Sequence, residues 1–131
     1  MPTSNEPSPE SSVLKTILIA DDEDLIRGWL SDVLEGEYDL LFAANGIDAM
    51  RLFLQNTDRI ACVLTDYNMP EMGGEILIDQ LRALKPSLPI IIMTGLERDR
   101  EMNRLTETYG IKIIQKPFSL SELLELLKTA Q

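Results

Sequence analysis

The stretch Ile17-Leu18-Ile19-Ala20-Asp21-Asp22 is an uninterrupted apolar run that stops at two acids. An apolar run without polar alternation is typical of a strand that is covered on both faces of a parallel sheet. Asp21 and Asp22 would then lie at the carboxyl end of that strand, which is the edge where open α/β sheets bind their ligands. The stretch therefore predicts a fold class and also the edge of the sheet at which a functional site lies.

The rest of the chain alternates between strand-like and helix-like patterns. Further apolar runs predict strands at 38–43, 60–64, 89–93 and 111–115. Apolar residues at helical spacing predict helices at 25–34, 46–55, 74–84, 97–109 and 120–127. Ser119 and Glu122 form a capping box before the last helix. Five strand–helix units in alternation predict a doubly wound α/β fold, (βα)5, with a five-stranded parallel sheet, although periodicity does not give the strand order.

The same spacing predicts which residues of two helices face the core. For the helix at 46–55 they are Ile47, Met50, Phe53 and Leu54. For the helix at 74–84 they are Ile76, Leu77, Leu81 and Leu84. Asp39, near the start of the second strand, suits an edge position in the sheet because a charged residue there stays in contact with water.

Composition places limits on the class of protein. The chain has 131 residues, enough for one domain with a sizeable core, and a net charge of −10. This acidity argues against direct binding to nucleic acid or to an anionic membrane surface, and no run approaches the roughly 20 apolar residues of a membrane-spanning helix. We predict a disordered leader or linker over the Pro- and Ser-rich residues 1–13 and one domain over 14–131. The lone Cys62, inside an apolar run, suits a core position in a cytoplasmic protein.

Polar residues follow the ends of several predicted strands. Asp66 follows the third apolar run, Thr94 the fourth, and Lys116 the fifth. Since the carboxyl ends of parallel strands meet at one edge, we expect these side chains to lie beside Asp21 and Asp22. Phosphoryl transfer depends mainly on positioning and charge neutralisation, for which Lys116 and the Thr94 hydroxyl are suited. Asp66 is the best candidate nucleophile, because attack by a carboxylate yields a reversible acyl phosphate.

The acids also predict a metal site. Mg²⁺ prefers oxygen ligands in octahedral geometry and takes one or two carboxylates together with water and phosphate oxygens. Asp22, Asp66 and a backbone carbonyl from the turn that runs from Asp66 to Asn68 would supply such ligands, for Mg²⁺ or for Mn²⁺. The chain contains no histidine, which argues against a zinc or iron site.

Four short motifs, in this order, resemble those of the response regulator receiver domains of two-component signal transduction. They are Ile-Ala-Asp-Asp from Ile19, Thr-Asp-Tyr-Asn-Met-Pro from Thr65, Met-Thr-Gly from Met93 and Lys-Pro-Phe from Lys116. The resemblance runs from Lys15 to the C-terminus and implies a flavodoxin-like sheet of strand order 2-1-3-4-5. The site that it implies has a phosphoacceptor, Asp66; a metal pocket, Asp21 and Asp22 with the backbone carbonyl of Asn68; a switch hydroxyl, Thr94; a phosphate-binding lysine, Lys116; and a cis peptide bond, Lys116–Pro117.

Two positions depart from the family pattern. Receiver domains usually carry Tyr or Phe three residues before the lysine, where this chain has Ile113. The resemblance therefore does not extend to the usual aromatic relay from the threonine to the output face, and Tyr109 lies on the preceding predicted helix. Gly73 stands where many relatives have Asp, which we expect to loosen the loop after Asp66.

The resulting hypothesis is a receiver domain that takes a phosphoryl group from a sensor histidine kinase or a histidine phosphotransfer protein and changes conformation to control an output. Such a domain catalyses only its own phosphorylation and dephosphorylation; we expect the donor to dock near Leu25, Ile26 and Phe118, and a homodimer is compatible with this function. Two alternatives stay open. One is an aspartate phosphatase of the haloacid dehalogenase type, which would have an acid where this chain has Asn68. The other is a docking module that is never phosphorylated.

Overall fold

The computed structural model describes residues 14–95 and 99–129, in which strands and helices alternate. The strands are β1 (Thr16–Ala20), β2 (Asp39–Ala43), β3 (Ile60–Asp66), β4 (Ile90–Thr94) and β5 (Lys112–Gln115). The helices are α1 (Asp24–Leu34), α2 (Gly46–Gln55), α3 (Gly74–Leu84), α4 (Arg100–Tyr109) and α5 (Leu120–Thr129). The predicted leader, 1–13, and the predicted first residues of the fourth helix, 97–98, lie outside the described residues.

The five strands form one parallel sheet in the order β2-β1-β3-β4-β5. This order confirms the flavodoxin-like (βα)5 fold. β2 is an edge strand, and Asp39 at its start is exposed, as its charge requires. Within 14–95 and 99–129, none of the helices has the length and apolar character that a membrane span requires.

Two apolar layers hold the helices against the sheet. On one face, β1, β3 and β4 pack against α2, α3 and α4, with Phe53 and Leu77 among the largest buried side chains. On the other face the same strands pack against α1 and α5 through leucines such as Leu30 and Leu123. Every residue of β1 and β4 is buried, which explains why these strands have apolar runs without alternation.

The predicted inward faces of α2 and α3 were partly wrong. Phe53 of α2 is buried as predicted, but Ile47 and Leu54 are exposed and Ala49 is buried in their place. On α3 the exposed apolar residues are Ile76 and Leu84, while Leu77, Ile78 and Leu81 are buried. Both helices carry an apolar arc wider than the stripe that a sheet can cover, and spacing alone does not show which part of such an arc faces inward.

The loop between β5 and α5 has the geometry that the sequence predicts. Glu122 N–H donates to Ser119 Oγ at 3.1 Å, and Ser119 N–H donates to Glu122 Oε1 at 2.9 Å, so both arms of the capping box form. The peptide bond between Lys116 and Pro117 is cis. This loop follows directly from Lys116 and therefore borders the carboxyl edge of the sheet.

Candidate functional site

Because adjacent parallel strands end at the same edge of the sheet, the predicted site residues that follow them lie close together. Ala20 of β1 pairs with Thr65 of β3, so that Asp21 and Asp66 follow one pair of neighbouring positions. The backbone is tied at this level by two hydrogen bonds: Asp21 N–H donates to the Ala43 carbonyl at 3.0 Å, and Lys116 N–H donates to the Thr94 carbonyl at 2.7 Å. The sheet thus brings residues that are far apart in sequence to one edge.

Three carboxylates form the centre of the site. One oxygen from each of Asp21, Asp22 and Asp66 lies within 4.8 Å of the others. Asp21 is fully buried and Asp66 is 8% exposed, whereas Asp22 is exposed to solvent. Three carboxylates at this separation repel one another, and oxygen ligands with an open solvent side suit a hard divalent cation that keeps some of its waters.

The electrostatics of Asp66 reflect this crowding. Burial and the neighbouring negative charge of Asp21 raise the pKa of Asp66 from 3.8 to about 6. Lys116 and a hydrogen bond from the backbone N–H of Asn68 act in the opposite direction, but they do not compensate for the burial. The ionised carboxylate is therefore held in an environment that disfavours its charge, and added positive charge would relieve it.

Lys116 reaches the carboxylates from the end of β5. Its ammonium lies 3.0 Å from Asp21 Oδ2, 3.5 Å from Asp66 Oδ2 and 3.2 Å from Glu23 Oε1. Burial alone would lower the pKa of Lys116, but the hydrogen bond to Asp21 and the charge of Asp66 outweigh it, so the pKa is raised. The lysine is therefore charged at neutral pH and is directed at Asp66, the predicted nucleophile.

Thr94 and Asn68 complete the predicted set. Thr94 is the last residue of β4 and is 2% exposed. It lies in register with Gln115, the residue before Lys116. Asn68 is exposed in the turn after Asp66, and together with Asp22 it lines an open cleft. All six predicted site residues thus belong to the same edge of the sheet, with Asp21, Asp66 and Lys116 in direct contact.

Glycine at position 74 allows α3 to begin directly behind Asp66. A Cβ atom at Gly74 would lie 2.5 Å from the Asp66 carbonyl oxygen, a distance that no side chain tolerates. At the neighbouring Gly73, a Cβ would meet nothing nearer than the Tyr67 carbonyl oxygen at 3.8 Å. Gly73 is the N-cap of α3 and offers no side-chain cap. The close approach of the Asp66 carbonyl therefore requires glycine at position 74, whereas position 73 has room for a side chain.

Two further contacts were missed by sequence reasoning. Glu23 and Asp24 continue the acidic run that begins at Asp21, and Glu23 binds Lys116. Arg27, one turn into α1, donates to the Asp21 carbonyl oxygen at 2.6 Å and pairs with Asp24. Helical spacing from the acidic run could have indicated Arg27, because residues three apart share a face of the helix.

Ile113, which stands where receiver domains usually have an aromatic residue, has a clear structural setting. Ile113 is half-buried and packs against the core on the α2–α4 face. The Tyr109 hydroxyl donates to Asp79 of α3 at 2.7 Å, and Arg104 pairs with the same carboxylate at 3.1 Å. Tyr109 therefore links α4 to α3 through its hydroxyl group, and it does not take the place of an aromatic residue on β5.

The sequence and the fold are similar to those of known proteins. Residues 17–128 match the family model of the response regulator receiver domain. The chain is 29% identical over 124 residues to the sensor kinase CckA of Brucella abortus, and 39% identical over 115 residues to the transcriptional regulatory protein SrrA of Staphylococcus aureus. These alignments cover 94% and 86% of this chain but only 13% and 46% of the relatives. The signal receiver domain of an HD domain-containing protein from Pseudomonas fluorescens Pf-5 superposes with a TM-score of 0.82 at 25% identity, covering 89% of this chain and 94% of that one.

The fold and the site together define a signalling domain of the receiver class, an α/β module with an acidic pocket at the carboxyl edge of its sheet. The chain belongs to the response regulator receiver domain family, and it is a receiver domain of two-component signal transduction. Receiver domains generally bind Mg²⁺ at such a pocket, and they interact with histidine kinases or phosphotransfer proteins. Membership in this family does not favour the phosphatase or the unphosphorylated docking module.

Proposed function

We propose that Asp66 is the phosphoacceptor of this receiver domain. The observation that carries the proposal is the position of its carboxylate, within 4.8 Å of the Asp21 and Asp22 oxygens and 3.5 Å from the Lys116 ammonium. If the proposal holds, a nucleophile, a set of metal ligands and a cation surround one point. Phosphoryl transfer requires these elements and little else from the protein.

In the proposed reaction, an oxygen of Asp66 bonds to phosphorus as the bond from phosphorus to the donor breaks. The donor is a phosphohistidine of a kinase or a phosphotransfer protein, and its imidazole leaves with the bonding electron pair and takes a proton from water. In this proposal Lys116 neutralises a phosphoryl oxygen, and the Thr94 hydroxyl would donate a hydrogen bond to a second. Hydrolysis ends the phosphorylated state: a water oxygen bonds to phosphorus as the bond from phosphorus to the Asp66 oxygen breaks, which releases phosphate and restores the Asp66 carboxylate.

Asp21, Asp22, Asp66 and the backbone carbonyl of Asn68 would hold Mg²⁺ or Mn²⁺ in this proposal. Three clustered carboxylate oxygens with one exposed side fit a cation of this kind. When bound, the ion supplies positive charge beside the transferring phosphoryl group. Asp21 also holds Lys116, so that the metal pocket and the lysine are parts of one structure.

A surface suited to the donor protein lies beside Lys116. An apolar cleft of about 440 Å³ is lined by Ile26, Trp29, Lys116, Pro117 and Phe118. The Trp29 and Phe118 rings meet edge to face at 5.7 Å. Leu25, at the start of α1, is 88% exposed. We propose that a cytoplasmic kinase or phosphotransfer protein binds here, because a helix bearing a phosphohistidine could cover the cleft and reach Asp66.

Intact-protein mass after incubation with acetyl phosphate and Mg²⁺ tests the chemistry. We expect one added phosphoryl group on the wild-type chain and none on Asp66→Asn or in the presence of EDTA. Asp24→Asn is the matched control, since it removes an exposed carboxylate nearby that pairs with Arg27. A wild-type chain without an adduct would contradict the proposal, and steady release of free phosphate would instead favour the phosphatase.

A kinase-transfer assay tests the docking surface. Leu25→Glu should slow transfer from a phosphorylated donor protein while leaving labelling by acetyl phosphate unchanged, because the small donor needs no protein surface. Leu54→Glu, at a solvent-facing leucine on α2 that is 60% exposed, is the control. Equal transfer rates for the two variants would refute this surface.

A further inference from the structure

Glu23 makes a contact that the reaction described above does not use. Its carboxylate lies 3.2 Å from the Lys116 ammonium, directly after the two acids of the metal pocket. The Glu23 side chain is 59% exposed, whereas that of Lys116 is 16% exposed. The contact thus joins a solvated acid to a largely buried cation at the mouth of the site.

The ammonium of Lys116 has three N–H donors, and three carboxylates surround it. Asp21 and Asp66 are the other two, at 3.0 and 3.5 Å. An incoming phosphoryl oxygen that is to bind Lys116 therefore competes with these carboxylates for its N–H donors. Asp21 is fully buried, and leaving it without its lysine would strand a buried charge.

Of the two acids whose oxygens lie within 3.2 Å of the Lys116 ammonium and accept a hydrogen bond from it, Asp21 and Glu23, Glu23 is the one that can be released at the lower cost. Water already solvates most of its side chain, so the carboxylate is rehydrated as the lysine leaves. Its negative charge, moreover, repels an approaching phosphoryl group as long as it stays beside the lysine. The contact with Lys116 that has to be given up and this repulsion both oppose phosphoryl binding, and both disappear when Glu23 loses its charge.

We propose that Glu23 is a positioning residue that holds Lys116 in the unphosphorylated domain and competes with the phosphoryl group for it. The inference rests on the proposed function of Asp66 and Lys116, and it assigns Glu23 the role of setting how readily the site accepts a phosphoryl group. In this role Glu23 acts through Lys116 and touches neither the nucleophile nor the donor.

Binding of beryllofluoride, a phosphoryl analogue, tests the proposal. The dissociation constant is measured by isothermal titration calorimetry at saturating Mg²⁺, whose own affinity is determined first for each variant. Glu23→Gln should bind beryllofluoride about two- to fivefold more tightly than wild type, the range expected for an exposed ion pair. Asp24→Asn is the matched control: it makes the same change of charge one residue away, but Asp24 pairs with Arg27 and not with Lys116.

The outcomes separate the inference from the function on which it rests. Tighter binding by Glu23→Gln alone supports the proposal, and a variant with a damaged fold would lose affinity rather than gain it. Equal affinities for Glu23→Gln and Asp24→Asn would overturn it, since net charge would then explain any effect. Weaker binding by Glu23→Gln would overturn it too, because Glu23 would then support Lys116. A wild-type chain that binds no beryllofluoride and forms no adduct with acetyl phosphate would refute the proposed function itself.

Discussion

Replacing Asp66 with Asn should stabilise the domain in the absence of divalent cations. The pKa of this carboxyl group is about 6 in the folded protein against an ordinary value of 3.8, because the group is buried beside Asp21. This difference corresponds to about 3 kcal/mol at 1.36 kcal/mol for each pH unit. The amide that Asp66→Asn introduces is neutral and nearly isosteric with the carboxylate, but it binds Lys116 less strongly. We therefore expect a gain of about 1–3 kcal/mol in the free energy of unfolding at pH 7.

The gain should depend on pH in a defined direction. Well below pH 3.8 Asp66 is protonated in both states, and the substitution has no charge to remove. Between pH 4 and 6 the unfolded state releases its proton while the folded state keeps it, so wild-type stability falls relative to the variant. Above pH 6 both states are ionised and the difference between the proteins stays constant. Urea unfolding in EDTA at pH 4 and at pH 7 measures most of this change.

Two controls make the test strict. Asp24→Asn removes an exposed carboxylate and should change stability by less than about 0.5 kcal/mol at both pH values. Addition of Mg²⁺ should stabilise wild type more than Asp66→Asn, because a ligand stabilises the state that binds it. If Asp66→Asn were no more stable than wild type at pH 7, or gained as much at pH 4, burial of an unfavourable charge at Asp66 would be the wrong explanation.

Three further predictions address the supporting structure. Gly74→Ala should slow labelling by acetyl phosphate about tenfold, because its Cβ would displace the Asp66 carbonyl, whereas Gly73→Ala has room for its Cβ and should label at close to the wild-type rate. Ser119→Ala should cost about 1 kcal/mol in urea unfolding by removing one arm of the capping box, and the exposed Ser121→Ala in the same helix should cost less than about 0.5 kcal/mol. Cys62 is fully buried, and burial raises its pKa to about 12; a thiol reagent at pH 8 should therefore label it only after unfolding, and rapid labelling of the native protein would contradict its place in the core.

The fold was predictable because the strands at its centre are covered on both faces. Such strands leave apolar runs in the sequence, and each run here ends at a residue that the sheet brings to the same edge. The faces of α2 and α3 were less predictable. Ile47 and Ile76 are as apolar as the residues buried beside them, and their exposure depends on how each helix is rotated on the sheet, which spacing does not determine.

The contacts of the site likewise include some that the sequence predicts and some that it does not. Asp21, Asp66 and Lys116 were predictable, since strand ends meet at one edge in any parallel sheet and these residues are chemically distinctive. The contact of Glu23 with Lys116 was not, because it depends on the path of a side chain after the strand has ended. The requirement for glycine at position 74 was equally hidden, since it comes from a neighbouring carbonyl and not from the glycine's own backbone angles.

The charges at the carboxyl edge explain why the metal ligands, Lys116 and Glu23 act together. Lys116 faces Asp21, Glu23 and Asp66, and Asp22 lies beside the two aspartates, so that one cation is set against four acids. Burial and the charge of Asp21 together raise the pKa of Asp66. A phosphoryl donor is itself an anion, and it would meet a strongly negative site unless positive charge had been added first. We therefore expect a divalent cation to bind before the phosphoryl group. As transfer occurs, Lys116 should leave Glu23, and its positive charge then neutralises part of the negative charge of the phosphoryl group.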